Sequence, residues 1–156
     1  VIYQGAARYP VRTLVVHCTA TPANWRPGDT PQQRVAAIRR IHMVDRGWKD
    51  VGYHWLIDRD GTVVPGRPET QIGSHVAGHN TGSLGISLFG GIASKPRDPF
   101  LRNYTREQEA ALAELIRDLQ GRTDVSQILG HNQLDSGKAC PGFYVPAWLA
   151  EQKIAV

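Results

Sequence analysis

The stretch "VRTLVVHC", residues 11–18, is a nearly continuous apolar run rich in β-branched side chains. A strand with one wet face alternates polar and apolar residues, whereas a run like this reads as a strand covered on both faces, in the interior of a sheet with helices around it. The run stops on His17, and in such sheets functional groups gather beyond the strand ends.

The surrounding pattern agrees. Thr30 opens "TPQQ", a capping-box start with Pro31 in the first turn, and Val35, Ile38 and then Ile41 or His42 recur at helical spacing as far as Gly47. "GYHWLIDRDGTVVPG" reads as two strands joined at the Asp60–Gly61 turn, and "LGISLFGG" as a further short buried strand. From Thr105 the spacing predicts a long helix: Thr105 and Gln108 form a capping box, Leu112, Leu115, Ile116 and Leu119 make its apolar stripe, and Gly121 is expected to end it. "SQILGH" reads as another short strand ending on His131, and a short helix is expected around residues 147–152. Alternating strands and helices with one hairpin imply an α/β fold: a single-domain sandwich with a central mixed β-sheet flanked by helices, over residues 1–156. No linker marks a separate wall-binding or other second domain.

With 156 residues and 41% apolar side chains, the chain is large enough to bury one sizeable core without cross-links. Two cysteines allow one bridge at most, so this is not a disulfide-built scaffold, and no CxxC pair suggests a closed structural zinc site. The net charge of +4 favours an acidic partner such as nucleic acid, anionic lipid or bacterial cell wall. Its basic residues are scattered, with "IRRIH" holding the only Arg pair, so no nucleic-acid partner is expected. No apolar run approaches a membrane span, and the N-terminal residues carry no export signal.

Catalytic zinc takes three protein ligands from His, Cys and carboxylates and leaves a fourth position open. His17, His131 and Cys140 are one candidate set, but six histidines offer many triples and the HExxH signature is absent, so spacing alone argues little.

Four ordered motifs add what spacing does not. "VHCTAT", "GYHWLIDRDGTVVPGR", "GSHVAGHNTGSLGISLFGG" and "GHNQLDSGKACPGF" resemble the zinc-dependent N-acetylmuramoyl-L-alanine amidases of the type-two family, and most of all the short T-odd coliphage lysozymes. The likeness runs from about Thr13 to Trp148 and extends to peptidoglycan-recognition proteins. It implies one Zn2+ held by His17, His131 and Cys140, with Tyr53 and Lys138 catalytic. It also implies a substrate, bacterial peptidoglycan, cut at the amide between N-acetylmuramic acid and L-alanine. The implied setting is a phage endolysin, a monomer made in the host cytoplasm and acting on the cell wall in host lysis. The loop holding His75 lies beside the cleft in that family, which makes His75 and Asn80 candidates for contacting peptide or sugar.

The chemistry suits these side chains. Zinc in an open site generates a nucleophile from water near neutral pH, and a coordinating thiol is deprotonated outright. Two neutral imidazoles and one thiolate leave the site at net +1. A lysine ammonium gives hydrogen bonds but takes no proton, so Lys138 suits an oxyanion rather than the role of base. Tyr53 both gives and takes hydrogen bonds, and the residues alone leave open whether it orients water or passes a proton to the leaving amine.

Other residues read as structural. Cys18 neighbours His17 on a strand and should face the opposite side as packing; if Tyr53 faces the cleft, His54 should face inward by the same alternation. His42 sits on a helix stripe and His79 on the surface. A disulfide between Cys18 and Cys140 would consume the thiolate the metal needs. Two rival functions remain: a peptidoglycan-binding module without turnover, against which Cys140, Tyr53 and Lys138 argue, and a regulatory contact with a phage RNA polymerase, known for the short coliphage lysozymes and without a visible motif here.

Overall fold

The computed structural model describes residues Val1–Val156. A small N-terminal hairpin, β1 (Tyr3–Gln4) and β2 (Tyr9–Pro10), leads into β3 (Thr13–Cys18). After a loop, α1 (Pro31–Arg40) runs into a wider π-helical turn, Ile41–Asp45. Then come β4 (Trp55–Ile57), β5 (Val63–Pro65), β6 (Ser83–Leu88), α2 (Phe100–Asn103), α3 (Arg106–Arg122), β7 (Gln127–Gly130), α4 (His131–Leu134) and α5 (Val145–Glu151).

Strands β3 to β7 form one mixed sheet in the order β5-β4-β6-β3-β7. The apolar run of β3 is parallel to both of its neighbours, and β4 is parallel to β6; only the β4–β5 hairpin is antiparallel. This is the expected α/β sandwich. Leu14, Val15 and Val16 are fully buried, as a strand covered on both faces requires.

Alternation along β3 and β6 splits the sheet into two unlike faces. Leu14, Val16 and Cys18 of β3 join Leu84, Ile86 and Leu88 of β6 in the main core, against Leu112, Leu115, Ile116 and Leu119 of α3 and Val145, Trp148 and Leu149 of α5. Each such side chain stabilises the fold by roughly 1.5–3 kcal/mol. A second, smaller core places Val35 and Ile38 of α1 on Leu56 and Val64, beneath Phe89 and Val51. Between them, on the same sheet face as α1, His17 stands opposite Ser87 in the β3–β6 register, and β6 offers only Ser83, Gly85 and Ser87 there.

Both predicted capping boxes are present, at Thr30/Gln33 and Thr105/Gln108, each worth about 1 kcal/mol. Two boundaries differ from expectation. Gly121 does not end α3: the helix runs on to Arg122 and stops at Thr123, whose buried hydroxyl donates to the Val11 carbonyl at 2.7 Å and accepts from the Ile2 amide at 3.1 Å. The anchor is tertiary, so no left-handed glycine is needed. His131 is likewise not the end of β7 but the first residue of α4. Of Ile41 and His42, the π turn buries His42 and leaves Ile41 exposed.

Candidate active site

His17 enters the site from the last-but-one position of β3 and is 1% exposed. His131 and Cys140 come from the two ends of one loop. The Asn132 amide donates to the Cys140 carbonyl at 2.8 Å, and its side-chain amide donates to the carbonyls of Ala139 and Phe143 at 3.2 and 3.3 Å. Gln133 folds back to accept from the Gly130 amide at 2.8 Å. A tight turn follows Cys140: the Gly142 amide donates to the Ala139 carbonyl at 2.7 Å, and Gly142 has φ +86, where a side chain would be strained.

The result is a cluster of three ligand-type atoms within 4.8 Å of one another. Nδ1 of His17 lies 3.2 Å from Nδ1 of His131 and 4.0 Å from Sγ of Cys140. A tetrahedral zinc ion with ordinary bond lengths sets N···N near about 3.3 Å and N···S near about 3.6 Å. The donor set suits that ion, and the two distances from His17 match it to within a few tenths of an ångström. Burial, followed by the neighbouring His75, His131 and His54, pushes His17 well below the ordinary histidine value, and burial lowers His131 too. Burial thus favours the neutral form of both rings, the form in which histidine binds a metal.

Cys140 is a free thiol, as is Cys18. The Cys18 side chain packs in the main core, which Cys140 also borders, while its amide donates to Cys140 Sγ at 3.1 Å. The Cys18 thiol and burial push Cys140 well above the ordinary thiol range. Ionisation of Cys140 in the protein alone is therefore opposed, while the same contact pulls Cys18 down to about 7.

Tyr53 and Lys138 line the same small cavity, about 240 Å³, as His17, His131 and Cys140. The half-buried Tyr53 ring lies 5.3 Å from the His17 ring, and its hydroxyl donates to the Cys18 carbonyl at 3.4 Å. Burial raises the hydroxyl, so it keeps its proton at neutral pH. Lys138 is exposed at the rim. A groove of about 480 Å³ runs on from this cavity past Trp48, Ser74, Val76, Asn80, Leu134 and Lys138. A larger groove, about 700 Å³, lies on the outer side of α1 and contains no histidine or cysteine.

His75, a candidate for contacting peptide or sugar, lines both the cavity and the groove but is only 7% exposed. Its Nδ1 is hydrogen-bonded to His17 Nε2 at 2.8 Å and its Nε2 to Ser83 Oγ at 3.0 Å. Both ring nitrogens are thus engaged inside the protein, and only the ring edge reaches the groove wall. Asn80 lines the groove, and its Oδ1 accepts from the amides of His75 and Val76, each at 2.9 Å. Ser83 was not anticipated; the signal for it was the polar and small series Ser83, Gly85, Ser87 on one face of an otherwise apolar strand. His54 faces inward, bonded to the Gln71 carbonyl and the Gly85 amide. His42 accepts from the Gly52 amide, and His79 is exposed. These three fit their structural readings.

The family model for N-acetylmuramoyl-L-alanine amidase matches residues 7–143. The chain belongs to this amidase family. It is 39% identical over 146 residues to an endolysin of Enterobacteria phage K11, covering 94% of this chain and 90% of that one. It is 37% identical over 151 residues to the endolysin of Escherichia phage T7, covering 97% and 93%. Among solved structures it resembles the N-acetylmuramoyl-L-alanine amidase LysC from Clostridium intestinale, with a TM-score of 0.73 and 28% identity over 94% of this chain and 88% of that one. The amidase is a peptidoglycan hydrolase, and no helix in it is long and apolar enough to cross a membrane.

Proposed function

We propose that the protein is a zinc-dependent phage endolysin whose single catalytic domain cuts the amide between N-acetylmuramic acid and L-alanine, with His17, His131 and Cys140 as metal ligands. The observation that carries this reading is the convergence of two neutral imidazoles and a thiol on one point, in a cavity that Tyr53 and Lys138 share. When bound there, zinc would supply Lewis acidity and a water nucleophile available at neutral pH.

The chain's own residues do the rest. Water adds to the lactyl carbonyl carbon, the C–N bond breaks, and the leaving L-alanine nitrogen takes up a proton. The Lys138 ammonium at the rim donates to the carbonyl oxygen as negative charge develops on it. Tyr53 acts as a hydrogen-bond donor that orients the attacking water or the carbonyl. A buried hydroxyl whose proton is held so firmly makes a poor base, and a transient phenolate there is costly. Asn80 and Trp48, along the adjoining groove, line the path for the stem peptide or sugar.

The test is release of peptides with free L-alanine amino termini from purified sacculi. A chelator should abolish it and added zinc restore it; full activity in rigorously chelated protein would sink the metal reading.

A further inference from the structure

The Ser83 hydroxyl fixes the direction of a hydrogen-bond chain that ends at the candidate metal site. Its Oγ lies 2.7 Å from the His79 carbonyl oxygen and 2.9 Å from that of Asn80. Carbonyls only accept, and a hydroxyl has one proton. That proton therefore goes to the carbonyl side, leaving an Oγ lone pair to face His75 Nε2 at 3.0 Å. His75 must then carry its hydrogen on Nε2. A neutral imidazole has only one N–H, so His75 Nδ1 is a lone pair and can only accept from His17 Nε2, 2.8 Å away. With its hydrogen on Nε2, His17 presents a bare Nδ1 to His131 and Cys140.

We propose that Ser83 and His75 are positioning residues that lock His17 in the Nε2–H tautomer, so that its Nδ1 is ready for a metal ion before one arrives. The inference rests on reading His17 as a ligand. Metal-bound histidines commonly need an outer partner to set tautomer and ring angle. Here the partner is a second buried histidine, relayed to a serine that two carbonyls orient.

The surroundings are shaped to hold this relay. A Cβ on Gly85 would lie 2.5 Å from His75 Cγ, and one on Gly73 2.7 Å from His75 Cδ2, so both glycines clear room for the ring. Asn80 holds the backbone at His75 through two amides. His17, His75 and Ser83 are all buried, so solvent does not compete for these bonds. His131 differs: its Nε2 has no protein partner.

The test uses the ¹⁵N-labelled full chain. Long-range ¹H–¹⁵N spectra of the zinc-free protein should show His17 as the Nε2–H tautomer, and Ser83→Ala should turn it into a mixture. Zinc affinity, read by competition with a chromophoric chelator, should weaken about ten- to a hundredfold in Ser83→Ala. A zinc-free wild-type His17 protonated at Nδ1 would overturn the proposal, as would a Ser83→Ala protein with unchanged tautomer and affinity. If Cys140→Ser bound zinc as tightly as wild type, the ligand reading would fail instead, while the tautomer result, obtained without metal, would stand.

Discussion

Cys18 donates its backbone amide to the sulfur of Cys140 at 3.1 Å while its own thiol lies in the main core that Cys140 borders. The two cysteines thus meet through the Cys18 amide and, at 3.9 Å, its carbonyl, with the two thiols also close enough to influence each other. Cys140→Ser should lose zinc by more than the about 10–100-fold that removing an outer partner costs. Cys18→Ala keeps the amide, so its zinc affinity should stay near wild type while its unfolding midpoint falls. Titration of zinc into both variants checks this; metal held unchanged by Cys140→Ser would mean another third ligand.

In the proposed mechanism Lys138 and Tyr53, which line the cavity, act on the reaction and not on the metal. Lys138→Met should lower kcat by about 10²–10³, the usual effect of losing one oxyanion donor, without weakening zinc binding. Tyr53→Phe keeps the ring against His17 and should also lower kcat with little change in metal content. A loss of zinc in either variant, by atomic absorption, would reassign that residue to the metal site.

Acid should unfold this protein partly through two structural histidines. Burial lowers both His42 and His54 to about 4, against the ordinary 6.5. Their Nδ1 atoms accept from the Gly52 and Gly85 amides, which a protonated nitrogen could not do. The unfolded chain takes up these protons first as pH falls, so this stability is whole above 6.5 and drains as pH drops through 6.5 toward 4. Urea midpoints at about pH 7.5 and about pH 5 should differ accordingly; equal midpoints would refute the assignment.

Two glycines should respond in opposite directions. Gly121 lies inside α3, exposed, with nothing within 4 Å of an added Cβ, so Gly121→Ala should stabilise by about 0.5–1 kcal/mol and raise Tm a few degrees. Gly85→Ala drives a methyl into the His75 ring. It should cost about 1–3 kcal/mol, as overpacking does, and weaken zinc binding as well. Thermal melts with and without zinc distinguish the two.

Much of this was legible in the residues. The β3 run, the capping boxes at Thr30 and Thr105, the Asp60–Gly61 hairpin and the inward turn of His54 all follow from local periodicity or capping chemistry. The cluster of His17, His131 and Cys140 does not follow from spacing; it became visible through motif likeness, because the three residues are joined by sheet topology and not by sequence distance. The inward hydrogen bonds of His75 were hidden for a related reason. The residue lies in a loop with no period to say which way a ring points, and only the Ser-x-Gly-x-Ser face of β6 hinted at a pocket there. Gly121 looked like a stop because glycine commonly ends helices, but the Thr123 anchor to Val11 and Ile2 is non-local.

The bond from the Asn132 amide to the Cys140 carbonyl closes the base of the loop that holds Lys138. The segment between can be lengthened, shortened or reshuffled without dragging His131 and Cys140 apart, since their separation is set at the neck and not along the excursion. The rim is therefore a replaceable part: grafting a different tip there would change which wall chemistry the cavity meets and where its lysine stands, with the candidate ligand atoms of His131 and Cys140 left in place.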